Sequence, residues 1–227
     1  MESIVVWLTP AGPNPWKVIL VCEELQIPYR IESIRYEDIK KPFIDLNPNG
    51  RVPAIVDPNT DLVLWETGAN LTYLVEQYDT KKLLTFDSLE KNHLNQWMYF
   101  QASGQWPYFG QAGWFNVLHP EKLPSAIQRY NDEIKRVLGV LDVSLEGKQW
   151  LVGGKMTFVD LAFAPWNDRI DAITQCSPED KFKGFPNVQA WHERVTSRDS
   201  WKKAMSIRDQ LMKEQSLTWK GLPEEDK

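Results

Sequence analysis

Three short stretches carry residue types that could together hold a small peptide-like ligand. The first is Asn47-Pro48-Asn49-Gly50-Arg51-Val52-Pro53, which runs into an apolar stretch at 54–56. Asn47-Pro48 disfavours helix at residue 47, and Asn49-Gly50 is turn chemistry. Proline cannot donate to a sheet ladder, so Pro53 belongs at the first residue of a strand. A cis prolyl bond there would aim the preceding backbone away from the sheet and leave the N–H and C=O of Val52 open to a ligand. The second stretch is Glu66-Thr67, where a helical pattern begins. A helix N-terminus with free N–H groups favours a carboxylate; Thr67 adds a hydroxyl, and Glu66 an anion that could hold an ammonium. The third is the loop 9–14. A ligand with a carboxylate next to an amine and an extended peptide-like portion would fit, with Val52 pairing its main chain as in strand addition. Each stretch also has a plainer reading, as a proline-rich loop or an ordinary helix cap.

The elements that must position these stretches read as β-α-β-α-β-β-α over the first 80 residues. Ile4 to Leu8 is a buried strand. Asn14 is a good N-cap, Pro15 suits the first helical position, and Val18, Val21, Cys22 and Leu25 repeat at helical spacing up to Pro28. A strand at 29–34, a short helix at 39–46, a strand at 54–57, a turn through Asp57-Pro58-Asn59-Thr60-Asp61, a strand at 62–65 and a helix at 66–78 follow. This is an α/β unit with a parallel crossover and then an antiparallel hairpin, and in such a unit the three stretches lie at one end of the sheet. After residue 87 the pattern is helical: a long segment at 88–113, a helix near Pro124, then 157–171, 188–197 and 199–213. The expected division is 1–79, a linker at 80–87, an all-helical domain at 88–215, and a charged, frayed tail that includes Pro223.

The chain has 227 residues, 42% of them hydrophobic and 25% charged, which suits a globular protein of one large or two small domains. A net charge of −5 offers no general attraction to nucleic acid or to acidic lipid. No run approaches 18 apolar residues, and Glu2 stands where a signal peptide would be basic, so a cytoplasmic protein is expected. Two cysteines make no disulfide framework, and Cys22 reads as core. No metal site is expected. The eleven tryptophans point to a surface that takes up something apolar and flat.

Taken together, these residues resemble the glutathione transferase superfamily over nearly the whole chain. Val52-Pro53 matches that family's cis-proline corner, and Glu66-Thr67 its acidic-Ser/Thr pair for the γ-glutamyl group. Gly153-Gly154 followed by Thr157-Phe158-Val159-Asp160 matches the capping-box signature of its helical domain. In physical terms, Thr157 and Asp160 can satisfy each other's orphan N–H groups, with Met156 and Leu161 as the hydrophobic staple. Pro13-Asn14 before an apolar helix, residues 47–53, and 101–112 look most like the fungal nu-type and nitrogen-regulator-like branch. The resemblance implies a thioredoxin-like α/β domain followed by an all-α bundle, glutathione as substrate or cofactor, and a homodimer. It implies that Asn14 contacts the glutathione sulfur, that Val52, Pro53, Glu66 and Thr67 bind the tripeptide, and that Lys40, or less readily Lys41, neutralises the glycine carboxylate. No tyrosine lies in the first strand or the loop after it, and that loop has no cysteine, which disfavours tyrosine-type and omega-type chemistry.

The nucleophile would be the glutathione thiolate. A free thiol ionises near pH 8.5, and lowering that by about two units takes roughly 2.7 kcal/mol of preferential stabilisation. Asn14 can supply part of this, and the helix dipole about 0.3–1 kcal/mol. Thr9 is a second candidate donor. An apolar electrophile would lie against the aromatic cluster of Trp106, Tyr108, Phe109, Trp114 and Phe115, with Trp106 and Tyr108 as the foremost candidates; the same cluster could equally be core. Three activities fit: addition of the thiolate to an electrophile, a cis-trans isomerisation by addition, rotation and elimination in a fungal biosynthetic pathway, and non-catalytic glutathione binding by a regulator. The chain starts directly at the first strand without an Asn/Gln-rich extension, which argues against close identity with the nitrogen regulator.

Overall fold

A computed structural model describes residues 1–87 and 89–221. The first compact unit is built on a four-stranded mixed sheet. Its elements in chain order are β1 (Ile4–Leu8), α1 (Asn14–Leu25), β2 (Tyr29–Ser33), α2 (Phe43–Leu46), β3 (Ala54–Asp57), β4 (Leu62–Trp65) and α3 (Thr67–Tyr78). The sheet order is β2-β1-β3-β4, with β1 parallel to β2, and β3 antiparallel to both β1 and β4. The apolar runs predicted as strands fill the interior: Ile4, Val6, Leu8 and Ile55 are buried, and α1 and α3 bring Ile19, Leu20, Leu71 and Leu74 to the same core. Asp57 ends β3 by accepting hydrogen bonds from Tyr73 Oη at 2.7 Å, from Tyr78 Oη, and from the backbone and side chain of Asn59 at 2.9 Å each. These bonds close the hairpin turn onto α3.

The second unit spans residues 84–196 and is helical. It contains α4 (Glu90–Phe100), α5 (Trp106–Gly113), α6 (Pro124–Ser144), α7 (Phe158–Asn167), α8 (Ile170–Thr174) and α9 (Pro186–Thr196). The long helical segment expected at 88–113 is interrupted by a wider π turn at 101–105, and a second π turn at 114–118 follows it. Pro107 sits in the first turn of α5 and has no N–H to donate, which breaks the regular ladder there.

The capping box forms at the start of α7. Asp160 is fully buried and accepts from Thr157 N and Thr157 Oγ1, both at 2.8 Å, from Leu151 N at 3.0 Å and from Trp191 Nε1 at 2.9 Å. All four partners donate, as an ionised carboxylate requires. The two apolar residues expected to staple this corner, Met156 and Leu161, are both buried.

Three expectations are corrected. The short helix predicted at 39–46 is only α2, preceded by a 3-10 turn at 36–38, because Pro42 cannot lie inside a helix and disfavours it at residue 41. The last helix, α10 (Asp199–Glu214), packs on α1, so the chain from residue 197 onward belongs with residues 1–83 and not with the bundle. Ion pairs tie α1 to this segment: Arg198 forms a two-pronged pair with Glu24 at 2.6 Å, and Lys203 pairs with Glu23 at 2.9 Å, while Trp201 and Ala204 of α10 are buried. The chain expected to fray from Thr218 is laid down as far as Gly221. Gly221 N donates to the Thr218 carbonyl at 2.9 Å; just before this turn Gln215 donates to Ser33 Oγ at 2.7 Å, Arg35 donates to the Gln215 carbonyl at 3.0 Å, and Leu217 is buried. The rest of the charged tail, residues 222–227 with Pro223, lies outside the described residues, as does Ser88 at the expected linker boundary. No helix among the described residues is long and apolar enough to cross a membrane.

Candidate functional site

Strand register gathers three of the sequence motifs. Trp7 of β1 pairs with Ala54 of β3, and Ala54 with Trp65 of β4. The residues just beyond these partners therefore share one end of the sheet: Thr9 after β1, Pro53 before β3, and Glu66 after β4. The parallel strand β2 ends beside them, with Leu8 opposite Ser33.

The loop after β1 is tied down on both sides. Trp16 Nε1 donates to the Pro10 carbonyl at 2.8 Å, and Gly12 N donates to the Thr9 carbonyl at 3.2 Å. Gly12 allows the loop to close: a Cβ there would stand 3.1 Å from Thr9 Oγ1 and 3.2 Å from Tyr36 Oη. Asn14 is the first residue of α1, with Pro13 at the N-cap position and Pro15 in the first turn. This corrects the expectation of Asn14 as N-cap. Thr9 is buried, and its hydroxyl has no partner among the described residues.

Val52–Pro53 is a cis peptide, and so is Lys41–Pro42. Asn47 organises the loop before Val52. Its buried amide donates to the Arg51 carbonyl at 2.5 Å and accepts from Asn49 N at 2.9 Å, while Gly50 takes the left-handed φ of 63° that a side chain would disfavour. The sequence showed turn chemistry here but not this clamp; an asparagine able to bond its own backbone two residues on was the available signal.

Glu66 precedes α3 with φ 72° and ψ 117°, a conformation costly for a residue with a Cβ. Its exposed side chain makes no capping bond, so the plainer reading of Glu66 as a helix cap is not realised. Thr67, the first helical residue, is buried. Sequence reading missed two neighbours of this corner. Lys17, on α1, is 1% exposed, and Asn70, on the first turn of α3, is fully buried. Burial pushes the Lys17 ammonium well below the usual lysine range, and the nearby Glu66 charge works against that shift. A lysine inside the apolar stretch of α1 was the only signal in the sequence.

Lys40 is 71% exposed on its side chain and pairs with Asp38 at 3.1 Å, and Lys41 pairs with Asp45 at 3.3 Å. Cys22 is buried in the core, where its thiol is pushed far up, which suits the structural reading. In the helical unit, Trp106 is exposed and Tyr108 half-buried, with the Arg136 guanidinium 5.9 Å from the Tyr108 ring centre. Phe115 stacks on Tyr130 at 5.4 Å, whereas Phe109 is core and packs edge-on against Trp166. The aromatic cluster therefore divides into a buried part and a part that faces outward.

Comparison with known proteins agrees with this architecture. Residues 11–77 match the glutathione S-transferase N-terminal domain model, and residues 105–199 match the C-terminal domain model. The glutathione S-transferase-like protein gedE of Aspergillus terreus is 44% identical over 214 residues, covering 89% of this chain and 94% of that protein. The transcriptional regulator URE2 of Saccharomyces cerevisiae is 33% identical, covering 90% of this chain and 68% of that protein. The crystal structure of the glutathione transferase URE2P6 from Phanerochaete chrysosporium with oxidized glutathione superposes with a TM-score of 0.87 at 40% identity, covering 92% of this chain and 98% of that one. With a thioredoxin-like α/β unit, a helical unit and matches of this extent to both domain models, the chain belongs to the glutathione S-transferase family.

Proposed function

We propose that this protein is a glutathione-dependent transferase that binds glutathione at the sheet end formed by Thr9, Val52 and Glu66 and activates its thiol for attack on an apolar electrophile. The observation that carries the proposal is Glu66. An exposed carboxylate held at a costly φ of 72°, with no capping bond to explain it, is arranged for a ligand ammonium. Thr67 and the N-terminus of α3 take the neighbouring carboxylate. The backbone of Val52 pairs with the tripeptide beside Pro53, and Lys40 exchanges its Asp38 contact for the glycine carboxylate.

Asn14, at the first position of α1, donates to the sulfur, and the unpartnered Thr9 hydroxyl stands in the same loop as a second donor. Each hydrogen bond to the charged sulfur is worth about 1.5–3 kcal/mol. Asn14 and the dipole of α1 together come to the roughly 2.7 kcal/mol that a two-unit drop in thiol pKa takes. Trp106 and Tyr108 offer the outward aromatic surface on which an apolar electrophile can rest. The same proposal includes a cytosolic homodimer.

The match to a transcriptional regulator favours one second reading, glutathione binding without turnover. Incubation with glutathione and a panel of aryl halides, epoxides and conjugated enones separates the outcomes. Loss of free thiol with adduct formation is expected. Isomerised enone without thiol loss identifies an isomerase. Tight glutathione binding with neither product identifies a regulator.

A further inference from the structure

One tyrosine outside the three motif stretches reaches the loop that leads into Asn14. Tyr36 opens the 3-10 turn after β2, and its side chain meets two glycines. At its tip, a Cβ on Gly12 would stand 3.2 Å from Tyr36 Oη. At its ring edge, a Cβ on Gly221 would stand 2.5 Å from Tyr36 Cε2 and 3.2 Å from the Cβ of Ala11. The ring thus joins loop 9–13 to the segment 215–221 by contact with the backbone of both. Tyr36 is 45% exposed, so its contribution to the core is small, and core packing alone does not account for a ring fitted against two glycines.

The joint is braced on each side. Ile34 N donates to the Leu8 carbonyl at 2.9 Å, which fixes the stretch before Tyr36 to the strand that feeds the loop. Arg35 donates to the Gln215 carbonyl at 3.0 Å and Gln215 to Ser33 Oγ at 2.7 Å, which fixes the same stretch to the chain after α10. Loop 9–13 is therefore held from α1 by Trp16, through the Pro10 carbonyl, and from residues 215–221 through Tyr36. Asn14 follows this loop at the first position of α1. A misplacement of about 1 Å at a reacting group can cost about a hundredfold in rate, so what holds the loop matters to the chemistry.

We propose that Tyr36 is a positioning residue for the thiol end of the site: through its ring, residues 215–221 set loop 9–13 and with it Asn14. The proposal rests on the reading of this sheet end as the glutathione site. It adds a segment far along the chain, in none of the three motif stretches, to what tunes the bound thiol.

Thiolate absorbance of bound glutathione against pH tests this, with calorimetric titration of glutathione alongside. Tyr36→Ala removes the joint. It should raise the bound thiol pKa by about one unit, a tenfold loss of thiolate at neutral pH, with glutathione affinity within about twofold. Gly221→Ala pushes on the ring from the distant segment and leaves the loop's own residues intact. It should move the curve in the same direction, and it carries the comparison if Tyr36→Ala does not fold. A merely structural role would lower the urea midpoint and leave the thiol curve in place. An unmoved curve in either folded variant would overturn the proposal, and so would a loss of affinity with the curve unmoved. An unmodified protein that binds glutathione with its thiol at the ordinary value, or does not bind it, would reject the glutathione reading itself and the proposal with it.

Discussion

Two helix starts in this molecule use the same residue types to opposite ends. At α7, Thr157 and Asp160 are buried and saturated: one carboxylate accepts four hydrogen bonds from its own chain. At α3, Glu66 is exposed and uncapped at a costly φ, and Asn70 is buried with both amide atoms unmet. A saturated corner has nothing left to offer a ligand and serves the fold. An unsaturated corner keeps its hydrogen-bonding capacity in reserve and is a poor stabiliser, which is the profile of a binding site. The difference is invisible in the residue types and appears only in the partner list.

The largest expected effect lies at the saturated corner. Asp160→Ala leaves two buried backbone N–H groups and the Trp191 indole without acceptors, so stability should fall by about 3–5 kcal/mol. A urea titration reads this directly; an unchanged midpoint would break the comparison at its structural end. Next come Glu66→Gln and Thr67→Ala. Each should weaken glutathione by about 1.5–3 kcal/mol while the urea midpoint holds, because neither side chain supports the fold as Asp160 does. A Glu66→Gln protein of unchanged affinity in calorimetric titration would remove the ligand role from α3.

Asn14→Ala should raise the thiol pKa of bound glutathione and slow turnover at neutral pH by about ten- to a hundred-fold, with the tripeptide still bound. Thiolate absorbance against pH is the measurement, and an identical curve in a folded, glutathione-binding variant would pass the role to Thr9. The smallest effect is Thr157→Ala, about 1 kcal/mol of stability, with glutathione affinity unchanged. A weakened affinity there would mean that the saturated corner is not purely structural.

The strands and helices were legible because their signals are local. Apolar runs at 4–8 and 54–57, helical spacing through Val18, Val21, Cys22 and Leu25, and the Thr157–Asp160 spacing depend only on near neighbours. The failures are equally physical. Pro42 and Pro107 were readable as breakers, yet the turns they impose depend on how the chain resumes on the other side. Asn14 has the chemistry of a cap but sits one position inside α1, a difference set by the 9–13 loop that Trp16 and Gly12 hold in place.

The amino-acid sequence by itself determined the family, the order of elements and the polar groups at the head of each helix, since these follow from residue type and short-range spacing. Only the tertiary structure decided which of those groups are satisfied. Sheet register brought Thr9, Pro53 and Glu66 to one end, packing of α1 on α3 buried Lys17 and Asn70, and the fold of residues 151–191 surrounded Asp160 with donors. The local capping pattern encoded only the Thr157 share of the bonds to Asp160; full satisfaction needed Leu151 and Trp191, which packing alone brings there.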